Sequence, residues 1–283
     1  MLLTPIVQGL ASLARDYDAM LCDAWGVIHN GVALFDGAAE ALLAFRRERG
    51  PVIILTNAPR PSAVIPAQLD RLGLPRDAYD AVVTSGDATR AEVEKRRGQN
   101  AFRIGPSKDE ELYRDLDVRF TPLDEADFII CSGLDDDVRE SPEDYRPLLE
   151  AAASRRIPMI CANPDVVVRL GGRLIFCAGA LAEIYAALGA EVVYAGKPHA
   201  PIYELSLKRI GMIAGRDIPS GRVLAIGDGV MTDIKGANGR DIDAVLVAGE
   251  GGVHEGPLSA VDLTAQLAKA GVRVRAAMER LKW

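Results

Sequence analysis

Short apolar runs that stop abruptly on polar residues recur along the chain. Ala19-Met20-Leu21-Cys22 stops at Asp23, Val52-Ile53-Ile54-Leu55 at Thr56-Asn57, and Val223-Leu224-Ala225-Ile226 at Gly227-Asp228-Gly229. Runs of this length bounded by turn residues predict buried strands of a parallel sheet. After the first run, His29-Asn30-Gly31 is turn chemistry. Gly37 then opens a helix over Ala38 to Arg49, with Ala41, Leu42 and Phe45 on one face, and Gly50-Pro51 ends it. A helix around Ala63 to Leu72 and a third strand, Ala81-Val82-Val83, complete a β-α-β-α-β order, the signature of parallel strands with right-handed crossovers. A short helix from Gly9 to Arg15 is expected ahead of the first strand.

The middle of the chain repeats the grammar. Strands are predicted at Ala101 to Ile104, Phe128 to Cys131, Pro158 to Cys161 and Leu174 to Cys177, with helices near Lys108 to Leu116 and Glu143 to Arg155. Ser141-Pro142-Glu143-Asp144 carries Pro in the first turn and acids after it, a good helix start. Gly171-Gly172 reads as a hairpin turn between Val166-Val167-Val168 and the Leu174 strand, which would make part of this second sheet antiparallel. Further on come a helix at Leu181 to Leu188, the strand Val192-Val193-Tyr194, the tripeptide Gly196-Lys197-Pro198 and a helix from Pro201 to Arg209. Thr232 and Asp233 open the helix after the Val223 strand, Ala244 to Val247 is one more strand, and Asp262 to Trp283 reads as one or two amphipathic surface helices.

Composition narrows the classes. The 283 residues carry a net charge of −7 and are 49% hydrophobic and 26% charged, an ordinary globular balance. The acidic charge argues against nucleic acid or an anionic membrane as partner. No apolar stretch is long enough for a membrane span, and Met1-Leu2-Leu3-Thr4-Pro5 lacks the basic start and apolar core of a signal peptide. Cys22, Cys131, Cys161 and Cys177 show no CxxC spacing, and His29, His199 and His254 show no ligand spacing with them, so reduced thiols in a cytoplasmic protein are expected rather than a zinc site.

In open parallel sheets ligands sit at the carboxyl ends of strands. If the strands share one sheet, Asp23, Thr56, the pre-proline Lys197, Asp228 and Asp233 meet at one edge. That set suits phosphoryl transfer. Two or three carboxylates can hold a hard cation such as Mg²⁺, a hydroxyl and a lysine can neutralise phosphoryl oxygens, and an aspartate can act as nucleophile. No G-x-G-x-x-G follows Cys22 and no Walker A loop is present, which disfavours nicotinamide and nucleoside-triphosphate enzymes.

The order of these motifs resembles the haloacid dehalogenase superfamily of phosphatases, in the class IIA branch that includes the N-acetylglucosamine-operon phosphatase and the pyridoxal phosphatases. The matching stretches are Leu21 to Val27, Leu55-Thr56-Asn57, Gly196-Lys197-Pro198, and Ile226 to Gly229 with Thr232-Asp233-Ile234. Ala162-Asn163-Pro164-Asp165 and Cys177 to Leu181 also look like that branch, and the likeness extends to about Gly251. The resemblance implies a doubly wound, Rossmann-like α/β core in two parts, 1–86 and 193–283, with a smaller α/β cap inserted at 87–192. It implies Asp23 as nucleophile and Mg²⁺ ligand, the main-chain carbonyl of Trp25 and the side chain of Asp228 as further metal ligands, and Asp233 as a ligand or a support directly behind the ligands. Thr56 and Lys197 would bind the phosphate, with Asn57, Trp25 and Gly26 around it.

One departure stands out. The family normally carries a second Asp two residues after the nucleophile, where it protonates the leaving oxygen; here that position is Trp25. Such acid–base help is typically worth ~10²- to 10⁴-fold. His29 is the nearest replacement in the sequence, and aryl, enol or acyl phosphates would need none. The expected activity is a Mg²⁺-dependent phosphatase of small phosphorylated metabolites. The alternative is a catalytically weak phospho-ligand-binding or regulatory protein on the same scaffold. Dehalogenation is disfavoured because it needs no cation and so no Asp228. Arg169 and Arg173 are candidate anion contacts, and a homodimer is a further expectation from the resemblance.

Overall fold

The computed structural model describes residues 3–170, 173–249 and 259–283. The chain divides into two compact units. The first comprises Met1–Thr56, Ala63–Val83 and Tyr203–Trp283; the second comprises Asn57–Ser62 and Thr84–Ile202.

The first unit is built on strands β1 (Ala19–Cys22), β2 (Val52–Thr56), β3 (Ala81–Thr84), β11 (Val223–Gly227), β12 (Asp243–Val247) and β13 (Ala276–Met278). They form one sheet in the order β13-β12-β11-β1-β2-β3. β1 lies at its centre, parallel to both neighbours, with Cys22 opposite Ile226 on one side and Ile54 on the other. All four residues of β1 are buried, as are all five of β11. That is why these strands are continuously apolar rather than alternating. Helix α1 (Ala38–Glu48) buries Ala38, Ala41, Leu42, Ala44 and Phe45, the face its sequence predicts. Among the described residues, α2 (Ile65–Arg71), α7 (Lys235–Asn238) and α8 (Ala260–Ala270) complete this unit's regular helices, together with most of α6 (Ala200–Ala214).

The second unit holds β4 (Asn100–Ile104), β5 (Arg119–Phe120), β6 (Phe128–Cys131), β7 (Met159–Cys161) and β10 (Val192–Tyr194), all parallel, in the order β10-β7-β6-β4-β5. Its core has two layers, because successive residues of a strand point to opposite faces. Ile129, Cys131, Met159 and Cys161 pack with Leu149 of α4 (Arg146–Ser154) and Leu181 and Tyr185 of α5 (Ala178–Ala187). Phe128, Ile130 and Ile160 pack on the other side with Val93 of α3 (Ser85–Glu94), Leu112 and Tyr113.

Several expectations need correction. The hairpin of β8 (Val167–Leu170) and β9 (Arg173–Phe176) is antiparallel, but it forms a two-stranded sheet of its own, so the five-stranded sheet stays wholly parallel. The Gly171-Gly172 turn lies outside the described residues, as do the side chains of Arg169 and Arg173. Pro158 precedes its strand instead of starting it; its carbonyl still accepts from the Ile129 N–H. The opening segment is two 3₁₀ turns, Leu10–Ser12 and Ala14–Asp16, each burying one side chain. The segment after Pro106 is likewise 3₁₀, over Ser107–Leu112. The tail contains α8 but then adds β13, whose three residues are fully buried against β12. Among the described residues no helix is long and apolar enough to cross a membrane.

Candidate active site

Strand register places the acids. Cys22, Ile54 and Ile226 sit side by side in the sheet, so Asp23, Thr56 and Asp228 all emerge just past the same row, at the carboxyl edge. Asp23 stays attached to the sheet, its N–H donating to the Ile226 carbonyl at 2.9 Å. Its Oδ1 accepts from the Ala24 N–H at 2.8 Å, which fixes the rotation of the carboxylate.

Asp228 and Asp233 follow β11. The chain turns through a π-helical segment, Val230–Ile234, before α7. The wide turn folds Asp233 back over its own start, where Oδ2 accepts from the Gly229 N–H at 3.1 Å and the Thr232 hydroxyl at 3.2 Å. The Asp233 carbonyl accepts from the buried Tyr203 hydroxyl at 3.1 Å. A Cβ on Gly227 would lie 2.2 Å from the Asp233 Cβ, so only glycine permits this approach.

The result is a cluster of three buried carboxylates, Asp23, Asp228 and Asp233, whose ligand oxygens lie within 4.8 Å of one another. Three like charges withdrawn from water repel one another and lose hydration. A hard divalent cation relieves both, and all-oxygen donors are what Mg²⁺ takes. The donor set therefore fits the metal that the resemblance implies.

Gly26 serves the cluster by being small. Its φ is +81° and a Cβ there would fall 2.1 Å from Asp228 Oδ2. Its N–H donates to the His29 carbonyl at 2.9 Å, so that hydrogen is committed within the loop. Trp25, 36% exposed, meets His29 edge-on with ring centroids 5.5 Å apart. His29 is buried and its Nδ1 accepts from the Gly31 N–H at 3.0 Å. Burial pushes its pKa down to about 4, so the ring is neutral, with its proton on Nε2. The sequence offers His29 as the nearest replacement for the missing acid; in the structure its ring packs inside the loop. Thr56 ends β2 half-buried.

Asn57 and Lys197 belong to the second unit. Both are buried. The Asn57 amide spans the Lys197 main chain: Oδ1 accepts from the Lys197 N–H at 2.7 Å, and Nδ2 donates to the Lys197 carbonyl at 3.1 Å. Nδ2 also donates to Asp165 Oδ1 at 2.9 Å. The sequence marks Asp165 only as part of a branch-like tetrapeptide, because a contact 108 positions away leaves no local signal.

The geometry is that of an α/β fold with a carboxylate cluster able to hold a cation at the carboxyl edge of a parallel sheet. A family model for haloacid dehalogenase-like hydrolases matches residues 20–119, and a second model of that kind matches 194–266. The chain is 42% identical to a haloacid dehalogenase-like hydrolase from Brucella suis 1330, over 98% of this chain and all of that one, with a TM-score of 0.86. It therefore belongs to the haloacid dehalogenase-like family of hydrolases. It is also 26% identical to an acid sugar phosphatase of Staphylococcus saprophyticus over 240 residues, 82% of this chain and 87% of that protein. NagD from Escherichia coli K-12 shares the fold at 22% identity and a TM-score of 0.70, over 93% of this chain and 96% of that one.

Proposed function

We propose that the protein is a Mg²⁺-dependent phosphatase of small phosphorylated metabolites that works through an aspartyl-phosphate on Asp23. The observation that carries this reading is the cluster of Asp23, Asp228 and Asp233, three buried carboxylates with oxygens within 4.8 Å. The likeness to an acid sugar phosphatase adds support for the substrate class. Cys22, Cys131, Cys161 and Cys177 are buried and form no disulfide with one another, which suits a cytoplasmic location.

In this reading Asp23, Asp228, Asp233 and the Trp25 carbonyl hold the ion, which supplies charge neutralisation for the phosphoryl oxygens. Thr56 and Lys197 bind those oxygens. Asp23, its Oδ1 held by the Ala24 N–H, attacks phosphorus through Oδ2, and the P–O bond to the alcohol breaks with its electrons leaving on oxygen. Water then adds to the phosphoryl group, a P–O bond forms, the bond to Asp23 breaks, and phosphate departs as the carboxylate is regenerated.

Trp25 favours a second reading for poor leaving groups: a phospho-ligand-binding or regulatory protein on the same scaffold. No titratable proton stands at that position, and the neighbouring His29 is turned to packing. Hydrolysis of p-nitrophenyl phosphate, with and without Mg²⁺ and beside Asp23→Asn, separates the two. The phosphatase reading expects activity that requires the ion and falls more than about 10³-fold in Asp23→Asn. No hydrolysis, with Mg²⁺ and phosphate still bound, would establish the second reading.

A further inference from the structure

Lys197 must hold its ammonium in one place if it is to bind a phosphoryl group, yet it sits in a loop between β10 and α6. A lysine stem has four rotatable bonds, so its aim depends first on a fixed main chain. The structure shows what fixes it. One buried amide, that of Asn57, closes on both the N–H and the carbonyl of Lys197. The orientation of that amide is unambiguous: Lys197 N–H needs an acceptor, while the Lys197 carbonyl and the Asp165 carboxylate both need donors. Asp165 therefore locks the amide against a 180° flip. Asp165 is itself set by Asn163, whose Oδ1 accepts from the Asp165 N–H at 3.1 Å. Close approach completes the clasp. A Cβ on Gly196 would fall 2.5 Å from Asn57 Oδ1 and 2.6 Å from Pro164 Cδ.

We infer that Asp165 and Asn57 form a positioning relay for Lys197, in which Asp165 orients the Asn57 amide and the amide fixes the lysine main chain. Both amide hydrogens of Asn57 are committed to this task, so Asn57 acts on phosphate through Lys197. The relay rests on the proposed role of Lys197 as the phosphate-binding lysine.

The test is calorimetric titration of inorganic phosphate into the full chain with Mg²⁺ present, which needs no turnover. Asn57→Asp keeps the shape but turns an acceptor toward the Lys197 carbonyl and Asp165. It should weaken phosphate at least about tenfold. Asn57→Asp combined with Asp165→Asn restores a donor facing an acceptor across the 57–165 contact, while an acceptor still faces the Lys197 carbonyl, so it should recover part of the loss. Recovery in the pair, at matched thermal stability, supports the relay; a merely structural defect would track the melting temperature instead. Asn57→Asp binding phosphate as wild type does, while Lys197→Ala binds it weakly, would overturn the relay alone. An Asn57→Asp defect that the second change leaves untouched would overturn it too. Unchanged phosphate binding in Lys197→Ala would remove the underlying reading and the relay with it. If Asn57→Asp fails to fold, Asp165→Ala takes its place, with weakened phosphate expected and wild-type binding overturning the inference.

Discussion

Gly26→Ala is the most direct way to move a carboxylate of the Asp23, Asp228 and Asp233 cluster without deleting it. Two effects add. The backbone at φ +81° is the left-handed region, which costs an L-residue about 1–2 kcal/mol. The new methyl would also lie 2.1 Å from Asp228 Oδ2 and 2.6 Å from Cγ. Ordinary contacts begin beyond 3 Å, so the carboxylate has to retreat by about 1 Å. Gly73 separates the two effects. Its φ is +89°, but nothing lies within 4 Å of a Cβ placed there. Gly73→Ala should therefore show the backbone cost alone, a melting temperature lower by a few degrees, about 2–4 °C per kcal/mol. Gly26→Ala should lose at least as much and also weaken Mg²⁺ by about 10- to 100-fold, the usual effect of disturbing a ligand's support. The assay is calorimetric titration of Mg²⁺ into both variants beside thermal melts. If Gly26→Ala loses stability like Gly73→Ala but binds Mg²⁺ like wild type, then Asp228 does not hold the ion from this position.

Three further outcomes are expected. Turnover should rise steeply with leaving-group acidity across aryl and alkyl phosphates, and Trp25→Asp should raise the alkyl rates toward the ~10²- to 10⁴-fold that an acid contributes; a flat dependence would show that another group already donates the proton. Asp18 is held below the usual carboxylate range, first by the Arg222 guanidinium, with Arg216 adding to it. Its folded pKa is depressed, so its stabilisation is complete above the unfolded value of about 3.9 and lost as pH falls through the folded one. Melting temperatures of wild type and Asp18→Asn should thus differ at pH 7 and converge below about pH 4; a constant gap down to pH 2.5 would contradict this. Finally, the fully buried Tyr17 donates to Asp243 Oδ2 at 2.8 Å. Tyr17→Phe leaves that carboxylate short of a donor and should cost about 1–2 kcal/mol, read as a lower melting temperature.

Much of the core was legible because its strands are apolar on both faces. Val223 to Ile226 and Ala19 to Cys22 are seen in the sequence to within a residue of their observed ends, and a carboxylate, Asp228 or Asp23, stands directly after each observed end. Asp23 and Asp228 were legible for the same reason. β13 was not, since Ala276 and Ala277 carry no strand preference and take their place from the ladder with β12. β5 is two exposed residues, too short for any periodicity. The hairpin could be read from its pattern, but its separation from the parallel sheet depends on partners that the pattern does not name. His29 looks like a loop residue by composition. Only the folded turn, with Gly31 at φ +87° and its N–H on Nδ1, shows why the ring is inside.

The central place of β1 has a consequence for synthesis on the ribosome. Ala19 pairs with Val223, so the middle strand waits for a neighbour translated some two hundred residues later. Everything between Thr84 and Ile202 belongs to a unit with its own two-layered core. At about 5–20 residues per second, the interval between the emergence of β3 and that of β11 is roughly 10–30 s. For that time β1, β2 and β3 are a half-sheet with an apolar edge open, the state in which nascent chains aggregate or recruit chaperones. The inserted unit can mature meanwhile. The strand that leads to Asp23 is thus among the first parts made and among the last to be completed.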